Sequence, residues 1–518
     1  MLASTRAPAM ATSTFARVLI GRPSASWVVT PPLWRFAGLG DARLTYPGAV
    51  GGIDPERLAV CLDVLKELDE LDPDHPDAVE VRRATAHVYK SVKQRRRSIK
   101  RASVTAADEA VTNLTATGAA DRIDDETRGV LLTPRTDAEV VGVLQRARSC
   151  YLCKTRYVEV DAFYHQLCPS CAAFSRSKRE QRTDLTGRRA LLTGGRAKIG
   201  MYIALMLLRD GCELTITTRF PHDAVRRFTA MPDSADWLHR LRVVGIDLRD
   251  PHQVVELADD VAADGHLDVL INNAAQTVRR TARSYAQLAA AEHAAEALET
   301  SVPIVDLRSA TAEIEGAIGK RLTPEAVTAL ALTSGSASLA RVEQGLAIDA
   351  GGLVPDLDPD NSWSRRVHEI DPVELLEVQL CNSVAPFILV SRLRPALAAS
   401  PHRRTYVVNV SAMEGQFSRR YKGAGHPHTN MAKAALNMLT RTSAEDMLAD
   451  GTLMTAVDTG WITDERPHPT KARLHQEGFH APLDLVDGAA RVYDPIVQGE
   501  AGIDLYGCFL KDFKVSPW

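Results

Sequence analysis

The chain lacks any apolar run that approaches the ~20 residues needed to span a bilayer. It also lacks a large net charge, because 62 Lys and Arg residues nearly balance 65 Asp and Glu residues and leave a net charge of −3. A near-neutral chain has no overall attraction to nucleic acid or to an anionic membrane surface. These absences favour a globular protein that acts on a small molecule, with neither nucleic acid nor a membrane as its partner.

The cysteines do not form the pattern of a secreted disulfide framework. Of the eight Cys residues, four are clustered and four stand singly, at Cys61, Cys212, Cys381 and Cys508. This usage is typical of a reducing compartment and predicts a cytoplasmic protein. Residues 1–40 contain no Asp or Glu but four Arg, a composition that fits either an organellar transit peptide or a flexible leader, which we place at 1–48.

A chain of 518 residues is too long for one typical domain, and about three units are expected. Two amphipathic patterns predict helices over 54–70 and 76–101, the first with Asp54-Pro55 as its start signal. A third helix is predicted over 136–149, which places a helical domain at 49–145. The basic run at 93–101 has no interleaved aromatic residue and is therefore interpreted as a solvated helix face, not a nucleic-acid surface.

Four cysteines follow, as Cys150-x-x-Cys153 and Cys168-x-x-Cys171. Two such knuckles, each at one end of a hairpin, place four thiolates around a tetrahedral Zn²⁺. Because four Cys ligands leave no open position, the ion is predicted to be structural, in a zinc ribbon at 146–180. The apolar residues of its hairpin are predicted to be Val158, Val160, Phe163 and Tyr164. The ribbon is interpreted as a connector between domains, and the basic residues after it leave contact with nucleic acid as the alternative.

From residue 186 onward, strand and helix patterns alternate as in a doubly wound parallel α/β sheet. Strands are predicted at 188–193, 212–217, 241–247, 267–272, 405–411, 453–457 and 502–507. The interval 277–370 is too long for an ordinary strand–helix connection. Its Ala-rich patterns at 281–298 and 307–318 predict a helical insertion beside the carboxyl ends of the strands.

The segment Thr193-Gly194-Gly195-Arg196-Ala197-Lys198-Ile199-Gly200 links the first of these strands to a helix. Glycines here let the backbone approach a pyrophosphate, whose charge then lies at the helix amino terminus. The second strand ends at Arg219 with no carboxylate to bind ribose hydroxyls, and Arg196, Lys198 and Arg219 could gather on a 2′-phosphate. The sequence therefore predicts NADP(H) as the cofactor in preference to NAD(H).

The order of the glycine segment, Asn272-Asn273-Ala274-Ala275, Asn382 and Lys433 resembles the short-chain dehydrogenase/reductase (SDR) superfamily. The resemblance covers about 186–518 apart from the insertion. It implies a Rossmann-type sheet and hydride transfer to or from a small carbonyl or enoyl substrate. A homo-oligomer is a further expectation for the assembly. The resemblance also implies a set of cofactor contacts: Thr193, Gly194, Arg196, Lys198, Ile199, Gly200, Arg219, Asp247, Leu248, Asn273, Ala274, Lys433 and Thr463.

The catalytic residues of the superfamily are Asn, Ser, Tyr and Lys, and only two of them have clear counterparts. Asn382 and Lys433 match, whereas Thr429 stands at the tyrosine position, four residues before Lys433. Ala412 stands at the serine position, although a shift of one residue would restore Ser411. Lys198 replaces the middle glycine of the family's glycine motif.

The candidates for the missing proton donor are Tyr421, His426 and His428, all of which precede Lys433 in the sequence. His426 lies seven residues before Lys433, an offset at which some divergent SDR enoyl reductases carry their tyrosine. Imidazole is suited to proton transfer near neutral pH. The favoured hypothesis is an NADP(H)-dependent oxidoreductase with an acid/base other than tyrosine. The alternative is a catalytically silent NADP(H)-binding sensor that signals through the zinc ribbon and the helical domain.

Overall fold

The computed structural model describes residues 52–122, 131–280, 282–295, 300–308, 359–419, 421–463 and 465–518. The chain forms two compact units, Met1–Gln94 and Arg95–Trp518. The predicted leader lies outside the described residues, as do positions 309–318 of the helix predicted at 307–318. The domain boundaries drawn from the sequence stay predictions.

The first two predicted helices are present. Helix α1 spans Pro55–Glu67, and the Asp54 side chain caps it by accepting hydrogen bonds from the backbone amides of Glu56 and Arg57. Helix α2 spans Pro76–Thr112 and is longer than predicted. The basic residues 93–101 are all exposed, as expected of a solvated helix face.

The helix predicted at 136–149 is wrong. Strand β1 (Val140–Ser149) occupies this segment and pairs antiparallel with β2 (Arg156–Asp161). Apolar residues at 140, 143 and 144 fit helical spacing, but the β-branched valines and Gly142 favour a strand once a partner is available. Pairing is irregular between Val143 and Arg148, and there the buried Asp108 carboxylate accepts from the amides of Gln145 and Arg146. Helix α3 (Pro169–Arg179) follows the hairpin.

A second sheet carries the predicted doubly wound pattern. Its strands are β3 (Arg189–Leu192), β4 (Glu213–Thr218), β5 (Leu241–Gly245), β6 (Val269–Asn272), β7 (Ile304–Asp306), β8 (Thr405–Ser411), β9 (Thr452–Asp458), β10 (Phe509–Lys511) and β11 (Lys514–Ser516). The strand order is β11-β10-β9-β8-β6-β3-β4-β5-β7, and every pairing except β10–β11 is parallel. Two edge strands, β7 and β11, were not predicted, because three-residue strands leave almost no periodic signal.

The strand predicted at 502–507 is wrong, since the last parallel strand is Phe509–Lys511. Gly502 and Gly507 both have positive φ angles, of 89° and 60°, and bound a loop, whereas Phe509 and Leu510 are buried.

Helices cover both faces of this sheet. They are α4 (Lys198–Arg209), α5 (Pro221–Thr229), α6 (Pro251–Ala263), α7 (Ala282–Ala295), α8 (Pro372–Gln379), α9 (Ala385–Ala398), α10 (Pro427–Leu448), α11 (His468–Gln476) and α12 (Leu485–Glu500). Successive strand residues enter opposite cores: Leu192 packs in the cluster with α4 and α12, and Leu191 in the cluster with α6 and α9. Burial on both faces explains why these strands are almost continuously apolar.

Among the described residues, one helical stretch, Pro372–Ala398, is long and apolar enough to cross a membrane by length and composition. A core helix of a soluble protein meets the same criterion. In this chain the stretch comprises α8, a π-helical turn and α9, and α9 packs on the sheet and on α6.

Candidate cofactor cleft and zinc site

The glycine loop between β3 and α4 is clamped to the end of β6. Thr193 Oγ1 accepts from the amides of Asn273 and Ala274, each at 3.0 Å, and Asn273 Nδ2 donates to the carbonyls of Thr193 and Gly194. Gly194 has φ +72°, and a Cβ on Gly200 would lie 2.0 Å from the Gly194 carbonyl oxygen. Asn273 therefore shapes the loop from behind, and the two glycines permit its tight turn.

Lys198 adopts the left-handed conformation that its position demands, with φ +53°. Its Nζ lies 3.4 Å from Oε1 of the mostly buried Glu465, and Thr463 Oγ1 lies 3.4 Å from the same oxygen. Burial alone would raise the pKa of Glu465, but the positive charges of Lys198 and Lys471 lower it to about 2. The pair joins the glycine loop to the loop after β9, so a pyrophosphate on the glycine loop would compete with Glu465 for Lys198.

Arg219 lies at the carboxyl end of β4 against the insertion. Its Nη2 donates to the Tyr285 hydroxyl at 3.0 Å, and its guanidinium and that of Arg196 lie 5.7 and 5.5 Å from the Phe220 ring centre. Tyr285 comes from α7, and its ring stacks on Phe220. The structure therefore brings Arg196 and Arg219 together, while Lys198 contacts Glu465 instead.

The charges around Phe220 are dominated by arginine. The buried Asp223 carboxylate binds Arg196, Arg226 and Arg227, and Glu292 of α7 accepts from the amides of His222 and Asp223. Three guanidinium groups share the Asp223 carboxylate, and Asp247 lies close enough to Arg219 to stabilise its charge. The excess of positive charge favours a bound anion.

The remaining predicted cofactor contacts, Asp247, Leu248 and Ile199, already contact other groups of the protein. Asp247, after β5, pairs with Arg249, and its neighbour Leu248 is buried in the core. Ile199 lies in the first turn of α4, and its side chain lies 3.5 Å from where a Cβ on Gly488 would stand.

Asn382 lies in a π-helical turn, Leu380–Val384, between α8 and α9. Its Oδ1 accepts from the Gln276 amide at 2.7 Å, and its Nδ2 donates to the Gln276 carbonyl at 2.9 Å. The buried amide therefore holds the segment that follows β6 in a fixed position.

Lys433 is buried on α10 against the end of β8. Its Nζ donates to the Val410 carbonyl oxygen at 2.7 Å, and burial lowers the pKa of Lys433 to about 8. The adjacent Ser411 hydroxyl donates to Asn437 Oδ1 of α10, so this hydroxyl joins the end of β8 to α10. Ala412 follows the strand at the position where the family carries serine.

The three candidate proton donors occupy different surroundings. His428 is 1% exposed, and neither of its ring nitrogens has a hydrogen-bond partner among the described residues; burial lowers the pKa of His428 below its ordinary value. The His426 ring stacks on Trp363 at 4.1 Å with its Nδ1 2.9 Å from the Trp363 carbonyl oxygen. Tyr421 is 78% exposed. Thr429, at the tyrosine position, is buried, and its Oγ1 likewise lacks a partner within the described part of the chain.

The four clustered cysteines converge. Their Sγ atoms all lie within 4.8 Å of one another, and those of Cys153 and Cys168 are 3.7 Å apart. A tetrahedral Zn²⁺ with Zn–S bonds of 2.3 Å requires S–S separations of about 3.8 Å. Cys150 and Cys153 flank the β1–β2 turn, as expected, but Cys168 caps α3 and Cys171 lies in its first turn, with Pro169 starting the helix. The second pair is therefore at a helix amino terminus, not in a second hairpin.

The thiols of the cluster differ in their pKa values. Burial raises the pKa of Cys150 and of Cys171, whereas hydrogen bonding to Thr155 lowers the pKa of Cys153 to about 6. Four adjacent thiolates need a compensating positive charge. Of the four predicted hairpin residues, Val160, Phe163 and Tyr164 are buried, and Val158 is exposed.

The cysteine knuckle at 150–153 contacts the loop after β9, which the sequence did not suggest. The Tyr151 hydroxyl, between Cys150 and Cys153, accepts from the Trp461 amide at 2.9 Å. Trp461 belongs to the same loop after β9 that carries Thr463. Beneath this contact, Tyr164 donates to Asp487 at 2.6 Å and Arg179 pairs with Asp484, which attaches the ribbon to α12. Chain separations above 300 residues explain why no local pattern could reveal these pairs.

A parallel sheet with a glycine loop at the carboxyl end of its first strand defines a Rossmann-type protein. The family model for short chain dehydrogenase matches residues 188–301. Uncharacterized protein R665 of Acanthamoeba polyphaga mimivirus is 32% identical over 367 residues, which cover 67% of this chain and 71% of that protein. The chain belongs to the short-chain dehydrogenase/reductase superfamily.

Other proteins are similar to parts of this chain. A "Probable oxidoreductase" of Streptomyces antibioticus is 37% identical over 91 residues, 18% of this chain and 30% of that protein. Among solved structures, the Pseudomonas aeruginosa RhlG/NADP active-site complex is 18% identical and covers 63% of this chain and 95% of that one, with a TM-score of 0.40. A short chain dehydrogenase from Burkholderia cenocepacia in complex with NADP is 19% identical over 63% and 97% of the two chains, also with a TM-score of 0.40.

Proposed function

We propose that this protein is an NADP(H)-dependent oxidoreductase that transfers hydride to or from a small carbonyl or enoyl substrate, with an acid/base other than tyrosine. The observation that carries the proposal is the buried Lys433, whose ammonium lies on the Val410 carbonyl and whose pKa is lowered to about 8. A buried, strongly perturbed lysine in a cleft is typical of a functional site.

NADP(H), not NAD(H), is favoured by the guanidinium groups around Phe220. Arg196 and Arg219 flank this ring, and no carboxylate follows β4 where one would bind the ribose hydroxyls. The cofactor, when bound, supplies the hydride.

Positioning of the substrate and transfer of the proton are assigned to residues of this chain. Asn382 fixes the backbone at Gln276, and Lys433 holds a positive charge beside the end of β8. At neutral pH, Lys433 is mostly protonated because its pKa is about 8, so it can deliver a proton in the direction of reduction. His428 is neutral at this pH because burial lowers its pKa, and it is the second candidate for the proton transfer. Whichever of the two groups donates the proton in reduction accepts it in oxidation.

The decisive experiment combines binding with turnover. The full-length protein is titrated with NADPH by fluorescence and is then tested for NADPH consumption with a panel of small carbonyl and enoyl compounds. Lys433→Met should abolish turnover and weaken NADPH binding, whereas Lys514→Met, at an exposed lysine of β11, serves as a control for the loss of a lysine. If NADPH does not bind, the proposal is rejected.

A silent dinucleotide sensor is the second candidate, favoured by the Tyr151–Trp461 hydrogen bond between the zinc knuckle and the cleft. In that case NADPH binds and changes the protease sensitivity of residues 1–180, but no compound in the panel is turned over.

A homo-oligomer is also part of the proposal. Helices α8, α9 and α10 expose the apolar side chains of Leu376, Phe387, Met431 and Met438. Exposed apolar side chains grouped on neighbouring helices are typical of an interface. Sedimentation of the purified protein as a monomer at all concentrations would count against it.

A further inference from the structure

Two histidines and one aspartate converge at the amino ends of the central strands, on the edge of the sheet opposite the cofactor cleft. Asp268 directly precedes β6, His266 lies two residues before it, and His402 lies in the turn that leads into β8. Each of the three offers a ligand atom, and these atoms all lie within 4.8 Å of one another. The glycine loop and Lys433 lie at the other ends of the same strands.

The distances between these groups are not those of direct hydrogen bonds. His266 Nε2 lies 3.4 Å from Asp268 Oδ2, and His402 Nε2 lies 4.0 Å from Asp268 Oδ1. Hydrogen bonds from N–H to oxygen are about 2.7–3.2 Å long. His266 Nε2 is shielded from solvent and has no hydrogen-bond partner among the described residues. A tetrahedral zinc-type ion needs ligand separations of about 3.3–3.6 Å, because its bonds to nitrogen and oxygen are about 2.0–2.2 Å. The separation of His266 and Asp268 meets this requirement at 3.4 Å, and that of His402 and Asp268, at 4.0 Å, would have to shorten when an ion binds.

The surroundings hold the three side chains in place. The Asp268 carboxylate, which is fully buried, accepts from the Arg189 amide at 2.7 Å and from the Ser400 hydroxyl. The same Ser400 hydroxyl accepts from the His402 amide, and the Arg189 guanidinium donates to the carbonyl oxygen of His266 at 2.6 Å. Such outer contacts orient ligands in metal sites. Each carboxylate oxygen keeps a second lone pair for an ion.

The geometry points to a second metal site, in which His266, Asp268 and His402 bind a divalent transition-metal ion of the zinc type. Two imidazoles and a carboxylate are the ligands that such ions prefer. Both histidine side chains are 31% exposed, so water can complete the coordination. The ion would clip the loop before β6 to the loop before β8. This inference is independent of the proposed oxidoreductase activity.

Cobalt titration of the full-length protein separates this site from the cysteine site. Co²⁺ bound by four thiolates gives intense sulfur-to-metal charge-transfer absorption, whereas Co²⁺ bound by two histidines and a carboxylate gives weak d–d bands alone. We expect two equivalents in the wild type, of which one lacks thiolate absorption. A single equivalent, with thiolate absorption only, overturns the inference without any variant.

Substitutions then test which residues bind the equivalent of Co²⁺ that lacks thiolate absorption. His266→Gln and His402→Gln keep the side-chain volume and should abolish the equivalent without thiolate absorption, while the thiolate bands remain. Ser400→Ala removes the hydroxyl that donates to Asp268 and should weaken Co²⁺ binding at this site about tenfold. His252→Gln, on the exposed face of α6, is the matched control. If both ligand variants bind this equivalent as tightly as His252→Gln does, the assignment is overturned, and far-UV circular dichroism verifies that the variants are folded.

Discussion

Replacing Tyr151 with phenylalanine tests whether the cysteine knuckle at 150–153 positions the loop after β9 over the proposed cofactor cleft. The substitution removes one hydroxyl, which accepts from the Trp461 amide at 2.9 Å, and leaves the ring in place. Burial raises the pKa of Tyr151, so the phenol stays neutral and the hydrogen bond persists across the ordinary assay range.

The magnitude follows from one hydrogen bond. A typical intramolecular hydrogen bond contributes about 0.5–1.5 kcal/mol net. If the loop after β9 must hold its observed position to contact the nicotinamide end, this energy appears in cofactor affinity as a roughly 2- to 12-fold rise in Kd. Trp461 is 38% exposed, so water can replace the lost acceptor, which favours the lower half of that range.

The assay is a fluorescence titration with NADPH, repeated with 2′,5′-ADP, which lacks the nicotinamide. Tyr151→Phe should weaken the binding of NADPH and leave the binding of 2′,5′-ADP unchanged, since Arg219 and Arg196 lie at the other end of the cleft. Tyr157→Phe is the matched control, because the Tyr157 hydroxyl donates to the His165 carbonyl within the ribbon at 2.9 Å. Equal NADPH affinities for the two variants would refute the positioning role.

Four further predictions address the metal, the cofactor and the acid/base. Cys150→Ser should remove about one equivalent of zinc and lower the melting temperature, because ligation energy is also folding energy; metal analysis and calorimetry measure both effects. Arg219→Asp should weaken NADPH binding by roughly 10- to 160-fold, which corresponds to about 1.5–3 kcal/mol for hydrogen bonds to a charged group, and should strengthen NADH binding, as paired titrations would record. The rate of carbonyl or enoyl reduction should fall as pH rises through about 8, because the Lys433 ammonium, present below that pH, is then lost; a pH–rate profile reports this. If His428 carries the proton, His428→Ala should lower turnover in both directions by roughly 10²–10⁴ while His426→Ala changes it little, because the His426 ring is held by Trp363.

Each of these has an outcome that contradicts it. Zinc below about half an equivalent in the freshly purified wild type would reject the ribbon. An unchanged ratio of NADPH to NADH affinity in Arg219→Asp, with Arg392→Asp as the surface control, would remove Arg219 from the phosphate site. A reduction rate that stays constant from pH 7 to 9 would exclude Lys433 as the donor. Equal rates for the two histidine variants would exclude His428.

Local sequence patterns determined most of the sheet and the outline of two sites. The strands near 188–193, 241–247 and 405–411 were predictable because burial on both faces of a parallel sheet leaves a continuous apolar run. The glycine loop was predictable because positive φ and close backbone contact demand glycine at fixed spacing. The cysteine pairs were predictable because tetrahedral ligation restricts their spacing along the chain. In each case the physical requirement acts over a few neighbouring residues.

Tertiary structure decided whatever depends on partners far along the chain. Val140–Ser149 became a strand because β2 pairs with it, and Tyr285 of the insertion reached Arg219 at the end of β4. The hydrogen bond from Trp461 to Tyr151 and the convergence of His266 and His402 on Asp268 also left no trace in local sequence. Periodicity reports which face of an element is buried, whereas the side chains that meet across the sheet are selected by packing among elements that only the folded chain brings together.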